Sequence, residues 1–278
     1  MGMSTLSIGF IGAGNMASAL IGGLCQSGFN PDQLHVADPA HEKVASLVTS
    51  FGIHPSDNNQ ALLEVSNVVV LAVKPQIMKS VLQSLEVNNG QLLLSIAAGL
   101  HSNTLQNWLG QECAIVRSMP NTPALVQCGA TGLFANKQVS DQQRQQAEQI
   151  MSAIGLAIWV EQESQLDAVT AVSGSGPAYF FYMMEAIESA GVELGLSAET
   201  SRALTLQTAL GAAKLAIDAE ETTAQLRSRV TSPGGTTEAA IEQLQSKQGL
   251  ENIKQAVTAA YNRSQQLAKQ LAKQLADS

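Results

Sequence analysis

Apolar residues follow two rhythms along the 278-residue chain, and the change from one to the other falls near Glu163. In the first half, short apolar runs at Leu6–Ile11, Leu34–Ala37, Val68–Val73, Leu92–Ile96 and Ala114–Arg117 read as buried strands. Between them, segments beginning near Asn15, His41, Pro75 and Ser102 have the amphipathic spacing of helices. That alternation predicts an α/β fold, a doubly wound parallel sheet with helices on both faces. Thr131–Ala135 and Ala157–Val160 predict further strands flanking a helix near Asp141–Ala153. Beyond about Glu163 only helical patterns remain, at Ala178–Leu194, Ala198–Ala219, Glu238–Gln245 and Glu251–Ala276. The expected organisation is a dinucleotide-binding domain over residues 1–162 and an all-helical domain over residues 163–278. Leu267, Leu271 and Leu275 recur every fourth residue near the end. A surface helix with one packed stripe and a helix packed on a partner subunit both fit this repeat.

Composition narrows the partners. A formal charge of −8 argues against nucleic acid and anionic membranes. No apolar run approaches a membrane span, and the N-terminus lacks the pattern of a secretory signal. Cys25, Cys113 and Cys128 are odd in number and widely spaced, as expected of buried free thiols in a reducing cytoplasm. No metal site is expected. All four histidines (His35, His41, His54 and His101) lie in the first half.

Gly12-Ala13-Gly14-Asn15-Met16-Ala17 follows the first strand and opens a helix, a G-x-G-x-x-A loop. Its first glycine permits a tight turn, its second admits a pyrophosphate to the backbone, and the alanine allows close helix packing. Asp38 ends the second strand about twenty residues later. There it either accepts from a ribose 2′-hydroxyl, which favours NAD(H), or caps the next helix through Asp38-Pro39-Ala40. Only His41 and Lys43 offer positive charge nearby for a 2′-phosphate. Val73-Lys74-Pro75 ends a strand at the sheet's carboxyl edge, where Lys74 meets a phosphate or ribose or is simply a surface lysine. Ala97-Ala98-Gly99 offers small residues beside which a flat nicotinamide ring fits. Asn59 is either an adenosine contact or a helix cap.

Three further loops carry polar groups. Met119-Pro120-Asn121-Thr122-Pro123 is stiffened by two prolines and presents Asn121. Ser173-Gly174-Ser175-Gly176-Pro177-Ala178-Tyr179 opens the helical half with small residues, Ser175 among them. Ser232-Pro233-Gly234-Gly235-Thr236-Thr237 turns tightly into a helix, with Thr236 and Thr237 as N-cap and N1 candidates. Free amides at that helix start, with two hydroxyls beside them, suit a carboxylate. An ordinary capped helix is the alternative.

These blocks, in this order and spacing, resemble the pyrroline-5-carboxylate reductases, and the resemblance runs essentially end to end. It implies an N-terminal Rossmann domain and a helical dimerisation domain, with intertwined dimers that often assemble into a ring of five. It also implies reduction of L-1-pyrroline-5-carboxylate to L-proline by NADP(H), with NAD(H) as an alternative. By position, Gly12, Ala13, Gly14, Asn15, Met16, Asn59, Val73, Lys74 and Ala98 match the family's cofactor contacts; Asp38 and Pro75 join them from the reading above. Ser232, Gly235, Thr236 and Thr237 match the loop that holds the substrate carboxylate and ring nitrogen, and this loop serves the partner's cofactor in an intertwined dimer. An acid precedes that loop in the family; Glu220 and Glu221 are adjacent here, and Glu220 is taken as the candidate. Gly234, Ser175 and Asn121 complete the expected substrate set, with Thr237 and Ser232 as the catalytic candidates.

The chemistry agrees with what is missing. A cyclic imine protonates more easily than a ketone, and its iminium accepts hydride without a strong general acid. A histidine-free helical half fits that requirement. Lys214 in the second long helix keeps a β-hydroxyacid dehydrogenase reading open, although Asp218 stands where such sites usually carry asparagine. A cofactor-binding regulator without catalysis is the third reading, and it needs no substrate loop.

Overall fold

A computed structural model describes residues 6–276, with the side chains of residues 275 and 276, and so that of Leu275, outside the described set. The chain divides into two compact units, residues 1–175 with 260–278, and residues 176–259. The first unit begins with strand β1 (Ile8–Ile11), helix α1 (Asn15–Gln26), β2 (Leu34–Ala37), α2 (His41–Phe51), β3 (His54–Pro55) and α3 (Asn59–Glu64). It continues with β4 (Val68–Leu71), α4 (Pro75–Gln83), β5 (Leu92–Ser95), α5 (Ser102–Leu109), β6 (Ala114–Met119), β7 (Gly129–Ala135), α6 (Asp141–Ser152), β8 (Gly155–Trp159) and α7 (Gln165–Val169).

The eight strands lie in the order β3-β2-β1-β4-β5-β6-β7-β8. All neighbouring pairs are parallel except β6 with β7. The chain order reverses beside β1, between β2 and β4, so the carboxyl ends of β1 and β4 flank the crevice where such sheets take ligands. The strand at Thr131–Ala135, for which the alternation gave no direction, runs antiparallel: β6 and β7 are joined by residues 120–128, a single 3-10 turn (Thr122–Val126) with no crossover α-helix, which returns the chain. Successive residues of each central strand face opposite cores. Ile8, Phe10, Val68, Val70, Leu92 and Leu94 pack into one core, and Ile11, Val69, Leu71, Leu93 and Ile115 into the other. That two-sided burial explains runs without polar interruption.

After α7, a single π-helical turn (Thr170–Gly174) leads to Ser175, and the second unit begins at Gly176. That unit holds α8 (Gly176–Glu193), α9 (Ala198–Asp218), α10 (Thr223–Arg229) and α11 (Thr236–Ser246), followed by α12 (Gly249–Ala276), whose residues from Ala260 onward belong to the first unit. Helix α10 was not expected; Thr222 and Gln225 start it with a reciprocal capping box. Helices α8 and α9 pack together, with Ser201 Oγ donating to the Glu188 carbonyl at 2.8 Å. Within residues 176–259 only Gly176, Ser201 and Thr205 are buried. Phe180, Phe181, Tyr182, Ile187 and Leu194 of α8 and its end are exposed, Leu194 by 86%. Late in α12, Ala268 is buried and Leu271 packs on the second core of the first unit, while Leu267 stays half exposed. The leucine repeat is therefore in part an intramolecular stripe.

Among the described residues no helix is long and apolar enough to cross a membrane. All three cysteines are free. Cys113 is buried and Cys25 half-buried, but Cys128 is exposed, unlike the buried thiol expected.

Candidate active site

The glycine loop starts where β1 ends. Gly12 has φ +106°, and a Cβ there would lie 2.7 Å from the Ala72 carbonyl oxygen, so only glycine fits. Its N–H donates to the Ala37 carbonyl at 2.8 Å, tying the loop to the end of β2. Gly14 is the N-cap of α1, and a Cβ there would meet nothing within 4 Å. No described acceptor takes the amides of Asn15 and Met16 at the first turn of α1. Open space over unpaired amides at a helix start is what a pyrophosphate requires, so these residues fit a dinucleotide.

Asp38 holds backbone amides on both sides of it. Its Oδ2 accepts from the Ala13 N–H and its Oδ1 from the Ala40 N–H, each at 2.8 Å. The carboxylate latches the glycine loop and turns the chain into α2, while Ala40 occupies the N-cap position. Asn59 is relieved of capping, because Asn58 caps α3 through the Ala61 N–H at 2.9 Å. Lys74 is exposed and precedes Pro75, the first residue of α4. Ala98 is exposed three residues beyond β5, and Val73 is half-buried beyond β4. The sheet thus gathers the glycine loop, Val73 and Ala98 at its carboxyl edge. A cleft at the opposite edge is lined by residues such as Gln91, Gln111 and Gln143 and includes none of the expected site residues.

Asn121 is committed to the scaffold. Its side chain donates to the Ser173 carbonyl at 3.0 Å and accepts from the Ala130 N–H at 2.9 Å. Ser175 donates its backbone N–H to Thr170 at the end of the π turn.

A charged cluster beside Ala98 went unnoticed in the sequence. Arg117 of β6 is buried and donates to Glu163 Oε1 at 3.0 Å. The same carboxylate accepts from the Ser102 N–H at 2.6 Å and Ser102 Oγ at 3.1 Å, and lies 3.6 Å from His101 Nδ1. An arginine inside an apolar strand is the one available signal, since burial demands a partner for its charge. Burial raises the Glu163 carboxyl, but the contacts with His101, Ser102 and Arg117 outweigh it and bring the pKa from 4.5 to about 2. A depressed carboxyl stabilises the fold above its unfolded pKa and loses that effect as pH falls through the folded value. Between pH 4.5 and 2 the wild-type fold should lose roughly 3 kcal/mol that Glu163→Gln does not. Urea unfolding of both proteins across that pH range measures the difference.

In the second unit, α11 begins one residue earlier than expected. Gly235 is the N-cap, so Thr236 takes N1 and Thr237 N2, and no side chain caps the helix. The Gly234 N–H donates to Glu238 Oε2 at 2.7 Å and the Gly235 N–H to the Ser232 carbonyl at 3.0 Å. Both glycine amides are therefore occupied within the loop. Among the described residues no acceptor takes the amides of Thr236 and Thr237, so these carry the anion-binding capacity. Ser232 is exposed. Glu221 is held by Arg229 at 2.6 Å, whereas Glu220 is exposed without a hydrogen bond or ion pair among the described residues. Lys214 is exposed on α9.

Sheet order, glycine loop and helical second half together define a dinucleotide-dependent oxidoreductase of two-part construction. Residues 7–99 match the family model of NADP oxidoreductases described as coenzyme F420-dependent, and residues 163–267 match pyrroline-5-carboxylate reductase dimerisation. A pyrroline-5-carboxylate reductase of Pseudomonas aeruginosa is 52% identical, over 96% of this chain and 98% of its own. The chain belongs to the pyrroline-5-carboxylate reductase family. Among solved structures, the reductase of Coxiella burnetii superposes with a TM-score of 0.90 at 44% identity, covering 96% of this chain and 98% of the other. The Plasmodium falciparum enzyme with NADP bound does so with a TM-score of 0.84 at 32% identity, covering 96% of this chain and all of the other. The dimerisation segment makes the chain self-associating, and α8 and α9 both expose large apolar side chains.

Proposed function

We propose that this chain reduces L-1-pyrroline-5-carboxylate to L-proline in the cytoplasm, acting by positioning and not by strong acid catalysis. The observation that carries the assignment of residues is the pair of unpaired Thr236 and Thr237 amides, with two hydroxyls, at the start of α11. Those amides and the positive end of the helix hold the substrate carboxylate. The Thr237 hydroxyl meets the ring nitrogen, and Ser232 lies at the head of the same loop. Glu220, unlike its neighbour Glu221, has its carboxylate available to the protonated imine. In the first unit, Gly12, Ala13, Gly14, Asn15 and Met16 hold the pyrophosphate, Asn59 and Lys74 the adenosine half, and Val73, Pro75 and Ala98 the remainder. Bound NAD(P)H supplies the hydride. Each turnover adds that hydride to the imine carbon and a proton to the ring nitrogen, leaving the oxidised cofactor. Asn121 and Ser175 hold backbone bonds that order the first unit's segments around residues 121–130 and 170–175. Dimers are the working unit, and we infer that five of them close into a ring.

Asp38 sets the cofactor test. Its carboxylate beside the second-strand end disfavours a 2′-phosphate and accepts a ribose hydroxyl. With the pyrroline substrate, kcat/KM for NADH should fall within about tenfold of that for NADPH, a gap of roughly 1.4 kcal/mol. A preference for NADPH of about a thousandfold would leave Asp38 only its latching role. Failure to reduce the pyrroline with either cofactor, against turnover of a hydroxyacid, would sink the functional reading itself.

A further inference from the structure

The connection from β5 to α5 is held from two sides by groups that the glycine loop does not use. On one side Glu163 grips it, binding both the N–H and the hydroxyl of Ser102 and lying against His101. The same carboxylate is anchored on Arg117, whose strand position pairs with Ser95 at the end of β5. On the other side Gly99 lies against α12, where a Cβ on it would come within 3.6 Å of Ala268 Cα. Ser264, one turn earlier in α12, donates to Asp167 Oδ1 at 2.7 Å, and Asp167 lies one turn beyond Glu163. Within this loop Ala97, Leu100 and Ser102 are buried, while Ala98 is presented to solvent.

A buried ion pair is weak evidence for stability, because well-packed apolar residues often serve as well. What a charged, multiply bonded carboxylate adds is a fixed direction for each group that it binds. We propose that Glu163 is a positioning residue for the nicotinamide half of the cofactor, acting through Ser102, His101 and Arg117 to fix the height of the Ala97–Gly99 loop. This rests on the reading above that places nicotinamide beside Ala98. Hydride transfer is sensitive to displacements of about 1 Å, so a loop loosened by one carboxylate contact slows the chemical step more than it weakens binding.

The test separates the two halves of the cofactor in the full-length protein. Single-turnover oxidation of NADPH by pyrroline-5-carboxylate reads the hydride step. Inhibition by ADP-ribose 2′-phosphate, which lacks the nicotinamide, reads binding of the remainder. Glu163→Gln should slow the hydride step about tenfold while leaving the inhibition constant unchanged. Ser102→Ala removes only one bond to the carboxylate and keeps the ion pair; it should slow the step on the order of threefold. Should Glu163→Gln fail to fold, Ser102→Ala alone decides. Ala98→Val puts bulk directly where the ring is placed, and should slow the hydride step without affecting the inhibitor. A slow Ala98→Val beside a Ser102→Ala as fast as wild type overturns the positioning role and spares the placement of the ring. A fast Ala98→Val removes that placement and the proposal with it. Parallel loss of inhibitor binding and hydride transfer in Ser102→Ala assigns Glu163 a purely structural part.

Discussion

Thr237→Ala should lower kcat/KM for pyrroline-5-carboxylate by about ten- to a hundredfold, with the fold and the affinity for NADPH unchanged. Thr237 sits at N2 of α11, where its hydroxyl has no capping task, so the substitution leaves the helix start intact. Its N–H survives the change, and so does that of Thr236; the carboxylate grip is largely retained. What disappears is one hydrogen bond to a charged partner, worth roughly 1.5–3 kcal/mol. In rate terms that range gives the stated loss. With the bond proposed to the ring nitrogen, whose charge changes as the imine is reduced, the loss should fall on kcat more than on KM. Steady-state kinetics with melting curves on the same preparations check both parts. Wild-type kcat/KM in the variant would take the Thr237 hydroxyl out of the mechanism.

Arg117→Met should strongly destabilise the first unit. The arginine side chain is only 8% exposed and Glu163 only 18%, so removing the cation leaves a carboxylate in a poorly solvated place. Breaking a buried pair from one side costs about 3–5 kcal/mol. For a unit of this size that corresponds to roughly 6–20 °C in Tm. Glu163→Leu added to Arg117→Met should recover much of the loss, since no uncompensated charge then remains. Thermal unfolding of the two single variants and the double variant, at one protein concentration, measures the coupling. A double variant no more stable than Arg117→Met would show that packing of the arginine stem, and not its charge, supports the sheet.

Much of this architecture could be read from residue patterns because burial on both faces writes itself into sequence. The helices α1, α2, α4 and α5 begin at Asn15, His41, Pro75 and Ser102, where the spacing places them. Each has a proline, polar or glycine signal at the point of entry. The β6–β7 pairing escaped because direction depends on the connection, and a turn does not declare whether it reverses a strand. Helix α10 escaped because seven residues give too few turns for a period to show. In the site, the glycine loop was legible from local spacing alone. Local spacing could not show that Asp38 bonds residues on both sides of it, that Asn58 takes the cap next to Asn59, or that Glu238 occupies the Gly234 amide. Such competition for donors is settled by side-chain reach within a folded turn. The Arg117–Glu163 pair spans 46 residues, and only the folded sheet brings the two together.

The sparse interior of the helical unit changes what stability means for this protein. A set of helices that buries no large side chain of its own has its hydrophobic driving force in another molecule. Folding of that unit and association of subunits are then one equilibrium, governed by mass action. A melting temperature for the chain has meaning only beside a protein concentration, and dilution acts on it as a denaturant would.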